Sequence, residues 1–144
     1  MAAHHCQFRT YYEDTDAGGI VYHARYLGFA ERARAEALRS LGMSIGSMAE
    51  TDGVSFVVRQ LGIRYHAPLR LDELMDVETV LYHASGARVK LRQVITNLSR
   101  EGQKAAVIDV ELACLKPDSM VPLRVPGPCM ETLDGLRAET GPSL

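Results

Sequence analysis

Residues 23–41, HARYLGFAERARAEALRSL, place Tyr26, Phe29, Ala30, Ala33, Ala37 and Leu41 three and four positions apart. That period predicts an amphipathic helix with one buried stripe. Arg25, Arg32, Glu36 and Arg39 fall mostly on the other faces, and Gly42 is placed to end the helix in a left-handed turn. The stripe is rich in alanine, and Ala24 and Gly28 are also small. Such a helix can approach its partner closely, which suggests that something curved grips it.

The remaining pattern is that of strands. Residues 6–12 alternate weakly and end in aromatics, which predicts a first strand. In 53–66, Leu61, Ile63 and Tyr65 alternate with Gly62, Arg64 and His66. Residues 74–83 set Val77, Thr79 and Leu81 opposite Glu78, Val80 and Tyr82, and 86–98 set Val89 and Leu91 against Lys90 and Arg92. In 104–116, Ile108, Val110, Leu112 and Cys114 point one way, Asp109 and Glu111 the other. Short links at Ser85-Gly86 and Arg100-Glu101-Gly102 predict tight antiparallel connections. From Pro117 the chain is expected to be irregular, with a short helix near 129–138. The predicted order is therefore strand, long helix, four strands, an α+β domain of antiparallel sheet and one helix. One helix cannot cover both sheet faces. The other face or an edge strand needs a partner, so a homo-oligomer is expected.

Bulk properties narrow the function without choosing it. The chain has 144 residues, enough for one domain spanning 1–144. Its charged fraction is 24% and its net charge −2, with the basic residues scattered. That argues against nucleic-acid binding, which needs clustered phosphate contacts. No apolar run reaches membrane-spanning length, and the opening MAAHHCQF does not read as a secretory signal. Cys6, Cys114 and Cys129 are far apart and odd in number, with no C-x-x-C pair. Reduced thiols in a cytoplasmic protein are the simplest account.

The chemistry gathers in residues 12–26, YEDTDAGGIVYHARY. Asp14-Thr15-Asp16 alone is a weak signal, because aspartates are common in turns, where they bond their own backbone. A metal site would need more ligands; Glu13 and His23 are at hand, but the spacing matches no metal loop. The context says more. A carboxylate precedes the Gly18-Gly19 turn, which leads within a few residues into a helix start. Helix starts offer unpaired N–H groups and a partial positive charge. Such donors can hold a developing oxyanion while a nearby carboxylate attacks or activates water, a combination suited to acyl transfer to water. Ile20, Val21 and Tyr22 would make the surroundings apolar.

The stretch YYEDTDAGGIVYHARYLGFAERARAEAL resembles the 4-hydroxybenzoyl-CoA thioesterase family, most closely its Tol-Pal-associated acyl-CoA thioesterase branch. Weaker support comes from VVRQLGIRYHAPLRLDE, which resembles the family's second strand, and the likeness spans roughly 6–125. It implies the hot-dog fold, a long antiparallel sheet wrapped around one central helix. It also implies hydrolysis of an acyl-CoA thioester, with coenzyme A as part of the substrate and no other cofactor. An acyl carrier protein in place of coenzyme A stays open, as does dimer against dimer of dimers.

Through the resemblance, Asp16 is the nucleophile or general base, and His23 supplies the N–H that polarises the carbonyl. The His23 ring is implicated alongside Tyr12. Gly19, Ile20 and Val21 belong to the turn beside the substrate. Asp14 reads as a structural neighbour, and Tyr22 and Tyr26 as core or pocket wall. Glu31 is expected in a surface ion pair, with Arg34 or nearby bases. Arg59, Arg64, Lys90 and Arg92 are candidates for the coenzyme A phosphates, and His66, His83 and Cys114 read as structural. Two other readings stay open. One is a hot-dog hydratase or dehydratase, although its acid-and-histidine motif is not found. The other is a non-catalytic acyl-binding or scaffold module of the Tol-Pal envelope system.

Overall fold

The structure, a computed structural model, describes residues 3–137. Five strands form one antiparallel sheet: β1 (His4–Arg9), β2 (Ser55–Tyr65), β3 (Leu74–Ser85), β4 (Arg88–Asn97) and β5 (Gln103–Leu115). Their order across the sheet is β1-β3-β4-β5-β2, so β1 and β2 are the edges. The long helix α1 (Arg25–Ser40) lies on one face, and the sheet curls around it. A short turn of helix, α2 (Ile45–Ser47), and a wider turn over Met48–Asp52 precede β2; the sequence pattern had not marked them. Helix α3 (Gly127–Leu133) and a 3-10 turn over Asp134–Leu136 follow the sheet, close to the short helix expected near 129–138.

The α1 stripe is buried as its period requires: Tyr26, Phe29, Ala30, Ala33 and Ala37 are all 4% exposed or less. The alanines bring the helix axis close to Val77, Ile95 and Ile108 on the sheet. Gly42 ends the helix at φ 83°, with its N–H bonded to the Arg39 carbonyl and the Met43 N–H to that of Leu38. That pair of bonds satisfies carbonyls the last turn leaves open. Helix α1 starts at Arg25 rather than His23, and β1 ends at Arg9 rather than Tyr12. At Thr10 the chain leaves the sheet because the buried hydroxyl bonds the carbonyls of Arg70 and Glu73.

Two bulges change the side-chain parity partway along their strands. In β2 the extra residue is Arg59, so Phe56 and Val58 share the inner face with Leu61 and Ile63. In β3 the register shifts between Leu81 and His83. A single even-or-odd rule therefore fails across either strand.

A polar cluster is buried under α1. Gln93 is fully buried and donates to the Ala30 carbonyl at 2.9 Å and to the Thr79 hydroxyl at 3.0 Å. Its own carbonyl accepts from Arg34 at 3.0 Å. Burial lowers the Arg34 pKa, and Glu31 acts in the opposite direction. No carboxylate lies within ion-pair distance of Arg34 among the described residues, so the Glu31–Arg34 surface pair expected from sequence does not form; Gln93 takes that place.

Candidate active site

The turn expected at Gly18-Gly19 is built by bonds within it. The Asp16 N–H donates to the Ile20 carbonyl at 2.9 Å, and the Gly19 N–H to the Asp16 carbonyl at 3.1 Å. Gly19 sits at φ 79°, a left-handed conformation that glycine adopts without strain. A Cβ on Gly18 would meet Asp16 Oδ1 at 3.2 Å, and that oxygen already accepts from the Gly18 N–H at 2.8 Å. The carboxylate is thus oriented through one oxygen, and Oδ2 has no hydrogen-bond partner among the described residues.

Asp14, two residues earlier, is 2% exposed and committed to structure. It accepts from the Tyr11 N–H at 2.8 Å and from Arg25 Nε at 3.0 Å, while its carbonyl accepts from the Tyr22 N–H at 2.8 Å. Its charge sits at the start of α1, where the helix dipole favours an anion. This pairing locks the loop to the helix entry in place of a side-chain cap, which α1 lacks.

His23 lies one residue before the Ala24 cap. Neither His23 nor Ala24 donates its N–H to any acceptor among the described residues, whereas the flanking N–H groups of Tyr22 and Arg25 are both taken. The His23 carbonyl accepts from the Tyr65 hydroxyl at 2.6 Å, which ties the helix entry to the end of β2. The Tyr65 ring meets Tyr26 edge-on at 5.1 Å, and the Tyr26 hydroxyl accepts from the Leu69 N–H at 3.0 Å. Burial raises the pKa of both tyrosines, so they remain neutral hydrogen-bonding groups. The His23 ring is exposed and packs against Tyr22, the rings tilted by 47° with centroids 4.4 Å apart.

Asp16, Ile20, Val21, His23, Tyr26, Tyr65 and the loop 66–68 line one open cleft of about 460 Å³. A carboxylate, the residue His23 with its free N–H, and an apolar floor thus share one space. Gly19 shapes the turn without lining the cleft. Tyr12 is 83% exposed on a 3-10 turn and is not among the lining residues.

Arg59 and Arg64 are not brought to this cleft. Arg64 pairs with Val107 on the face turned away from α1, and Arg59 bonds Glu111 on that same face at 2.6 Å. Arg88 bonds Glu111 as well, at 2.9 Å, with Lys90 at 3.7 Å, while Arg92 pairs with Asp109. The physical reason is strand parity: with Leu61 and Ile63 facing the core, Arg64 must face out. Tyr65 and His66 had no sequence signal as site members beyond their place at the end of the second strand.

Comparison with known proteins agrees with this geometry. Residues 18–114 match the model of the thioesterase superfamily. The chain is 42% identical over 118 residues to an acyl-CoA thioesterase of Haemophilus influenzae, covering 82% of this chain and 85% of that one. It is 40% identical over 118 residues to an acyl-CoA thioester hydrolase of Escherichia coli O6:H1, covering 82% and 86%. The crystal structure of a probable thioesterase from Bartonella henselae superposes with a TM-score of 0.80 at 36% identity, covering 87% of this chain and all of the other. The fold is the hot-dog fold, α+β, with the sheet wrapped on α1. The chain belongs to the thioesterase superfamily.

Proposed function

We propose that this protein is an acyl-CoA thioesterase, cleaving the thioester to a free acid and coenzyme A. The observation that carries the reading is that Asp16 and His23 line one cleft at the helix entry, where the N–H groups of His23 and its neighbour Ala24 are unpaired. The thioester carbonyl lies against those donors, which stabilise the oxyanion as the carbonyl carbon becomes tetrahedral. Asp16, held by the Gly18 N–H, either takes a proton from the attacking water or attacks the carbonyl itself. The tetrahedral species then expels the coenzyme A thiolate, which picks up a proton; on the direct-attack route water then cleaves the acyl–Asp16 anhydride, freeing the acid and restoring the carboxylate. Coenzyme A enters as part of the substrate, and the steps use only groups of the chain. The exposed His23 ring stands at the cleft, where it meets the incoming substrate, while Tyr12 lies outside the cleft lining. The relatives named as acyl-CoA thioesterases support the same activity.

The cleft is open, and β2 beside it is an edge strand whose Val58 and Tyr65 are 48% and 44% exposed. A second copy paired edge to edge along β2 would cover these side chains and close the cleft, so the working form is a dimer or a dimer of dimers. None of the described helices is long and apolar enough to cross a membrane. The place of work is the cytoplasm, in the Tol-Pal-associated branch.

The test is Asp16→Asn, assayed by thiol release from an acyl-CoA panel. Loss of the acid lowers kcat by about 10²-fold or more with the fold retained. Unchanged turnover in a well-folded variant would remove Asp16 from the reaction. An inactive parent would favour an acyl-binding module, and reversible hydration of an enoyl-CoA without thiol release a hydratase.

A further inference from the structure

A second hollow, of about 330 Å³, lies between the C-terminal half of α1 and the inner face of the sheet. Leu38, Met48, Phe56, Val58, Leu133 and Leu136 are among its walls. Exposure along the walls gives it a direction. Glu31 is exposed and Val58 is 48% exposed, so they form the rim together with the partly buried Arg34. Met48, Leu133 and Leu136 are each 2% exposed, so they form the floor.

The origin of that floor is informative. The match to the superfamily ends at residue 114, while Leu133 ends α3 and Leu136 lies in the turn after it. The segment is fastened back onto the sheet at several points. The Leu123 N–H bonds the Cys114 carbonyl at 2.9 Å, the Val125 N–H bonds the Gly86 carbonyl at 2.9 Å, and Arg137 bridges to Leu81. A part of the chain outside the family core therefore decides how deep the hollow is.

We propose that this hollow receives the hydrocarbon tail of the acyl group and that Leu133 and Leu136 are its stop, making the preferred substrate a straight-chain acyl thioester of medium length. The volume sets the scale. A water-sized group takes about 30 Å³, so the hollow has room for about ten carbon-sized groups, and it falls within the usual range of small-molecule pockets. The walls are almost all hydrocarbon, and the charged groups, Glu31 and Arg34, stay at the rim. The catalytic cleft flanks Tyr65 and the hollow flanks Val58, seven residues apart on β2, or about 23 Å. That is too far for such a tail within one chain. Two copies paired antiparallel along β2 would set the cleft of one against the hollow of the other, so the tail crosses between them.

The proposal rests on the thioesterase reading, and its test separates the two. Straight-chain acyl-CoAs from four to sixteen carbons, a panel wide enough to bracket the about ten groups the hollow holds, are assayed for thiol release with the parent, Leu133→Ala, Leu136→Ala and Leu133→Phe. In the parent, kcat/KM rises with chain length and then falls tenfold or more at the longest chains. The two alanine variants move the fall-off to longer chains by about two or three carbons each, because each opens roughly three carbon-sized spaces. Leu133→Phe moves it to shorter chains. The profile compares substrates on the same folded enzyme, so reduced stability of a variant does not imitate a shift. Turnover with the same profile in all four proteins overturns the stop and leaves the hydrolase reading standing. A parent that releases thiol from no acyl-CoA overturns the hydrolase reading and the stop with it.

Discussion

The two ends of α1 are built on opposite principles. At its N-terminal end the surroundings are open and rich in unspent polar groups: an exposed carboxylate, two free N–H groups and a tilted Tyr22–His23 pair. Toward its C-terminal end lies a hollow of hydrocarbon, and the one polar cluster beside it, Arg34–Gln93–Thr79, is bonded throughout. The first end holds polar groups that nothing else among the described residues takes up, which is what the proposed reaction at a carbonyl calls for. The second has nothing to offer but space. Asp14 and Asp16 show the same contrast at short range. One is buried with Arg25 and fastens the loop; the other accepts a single N–H and keeps an oxygen free.

The sharpest way to break the comparison is to remove the fastening while leaving the working acid. Asp14→Ala leaves the Tyr11 N–H unpaired and Arg25 with only the more distant Glu13 carboxylate, at 3.8 Å. A fully buried pair would lose about 3–5 kcal/mol; the Arg25 side chain is 40% exposed, so a loss of about 2 kcal/mol is expected here. Denaturant unfolding reads the stability, and kcat falls as well because the Asp16 turn shifts against the helix entry. Stability and kcat both at parental values would mean that Asp14 does not position the site.

Gln93→Leu acts on the closed end. It leaves the Ala30 carbonyl, the Thr79 hydroxyl and the Arg34 guanidinium short of a partner, at about 1–3 kcal/mol. Turnover of a short acyl-CoA per folded molecule should stay near the parent's. A fall in kcat as large as that of Asp16→Asn would show that the two ends are not separable.

The smallest effect concerns acid. Burial alone would raise the Glu73 pKa, but hydrogen bonds from Asn97, the Arg70 N–H and Arg100 outweigh it and hold it below the ordinary value. A depressed carboxylate stabilises the fold above its unfolded pKa, about 4.3, and that contribution is lost as pH falls through the folded value. Glu73→Gln should therefore lower stability at neutral pH and flatten the acid limb below about pH 4.3. Thermal unfolding from pH 3 to 7, a window spanning the ordinary glutamate pKa of about 4.3, is the measurement. Parallel curves for parent and variant would refute it.

How far the sequence could be read depended on whether a feature was local. The α1 stripe needs only a period of 3.6, and the Gly42 stop only a left-handed residue, so both were legible. The Asp16–Gly19 turn is closed by bonds between residues at most four apart, so the turn itself was legible. Arg59 and Arg64 were not legible in the same way. Their charge suits phosphates, but which face they occupy depends on the β2 register and the bulge at Arg59. Tyr65 reaches the site only because it crosses to the His23 carbonyl from 42 residues away.

The sequence by itself therefore determined the long helix, the five strands, the α+β class and the turn that carries Asp16, since periodicity and local bonding act over a few residues. Only the tertiary structure decided which faces the arginines occupy, that Gln93 rather than Glu31 holds Arg34, and that Leu133 and Leu136 close a hollow formed mainly by α1 and the sheet. Those outcomes depend on how strands register and helices settle across long stretches of chain, and no local spacing records that.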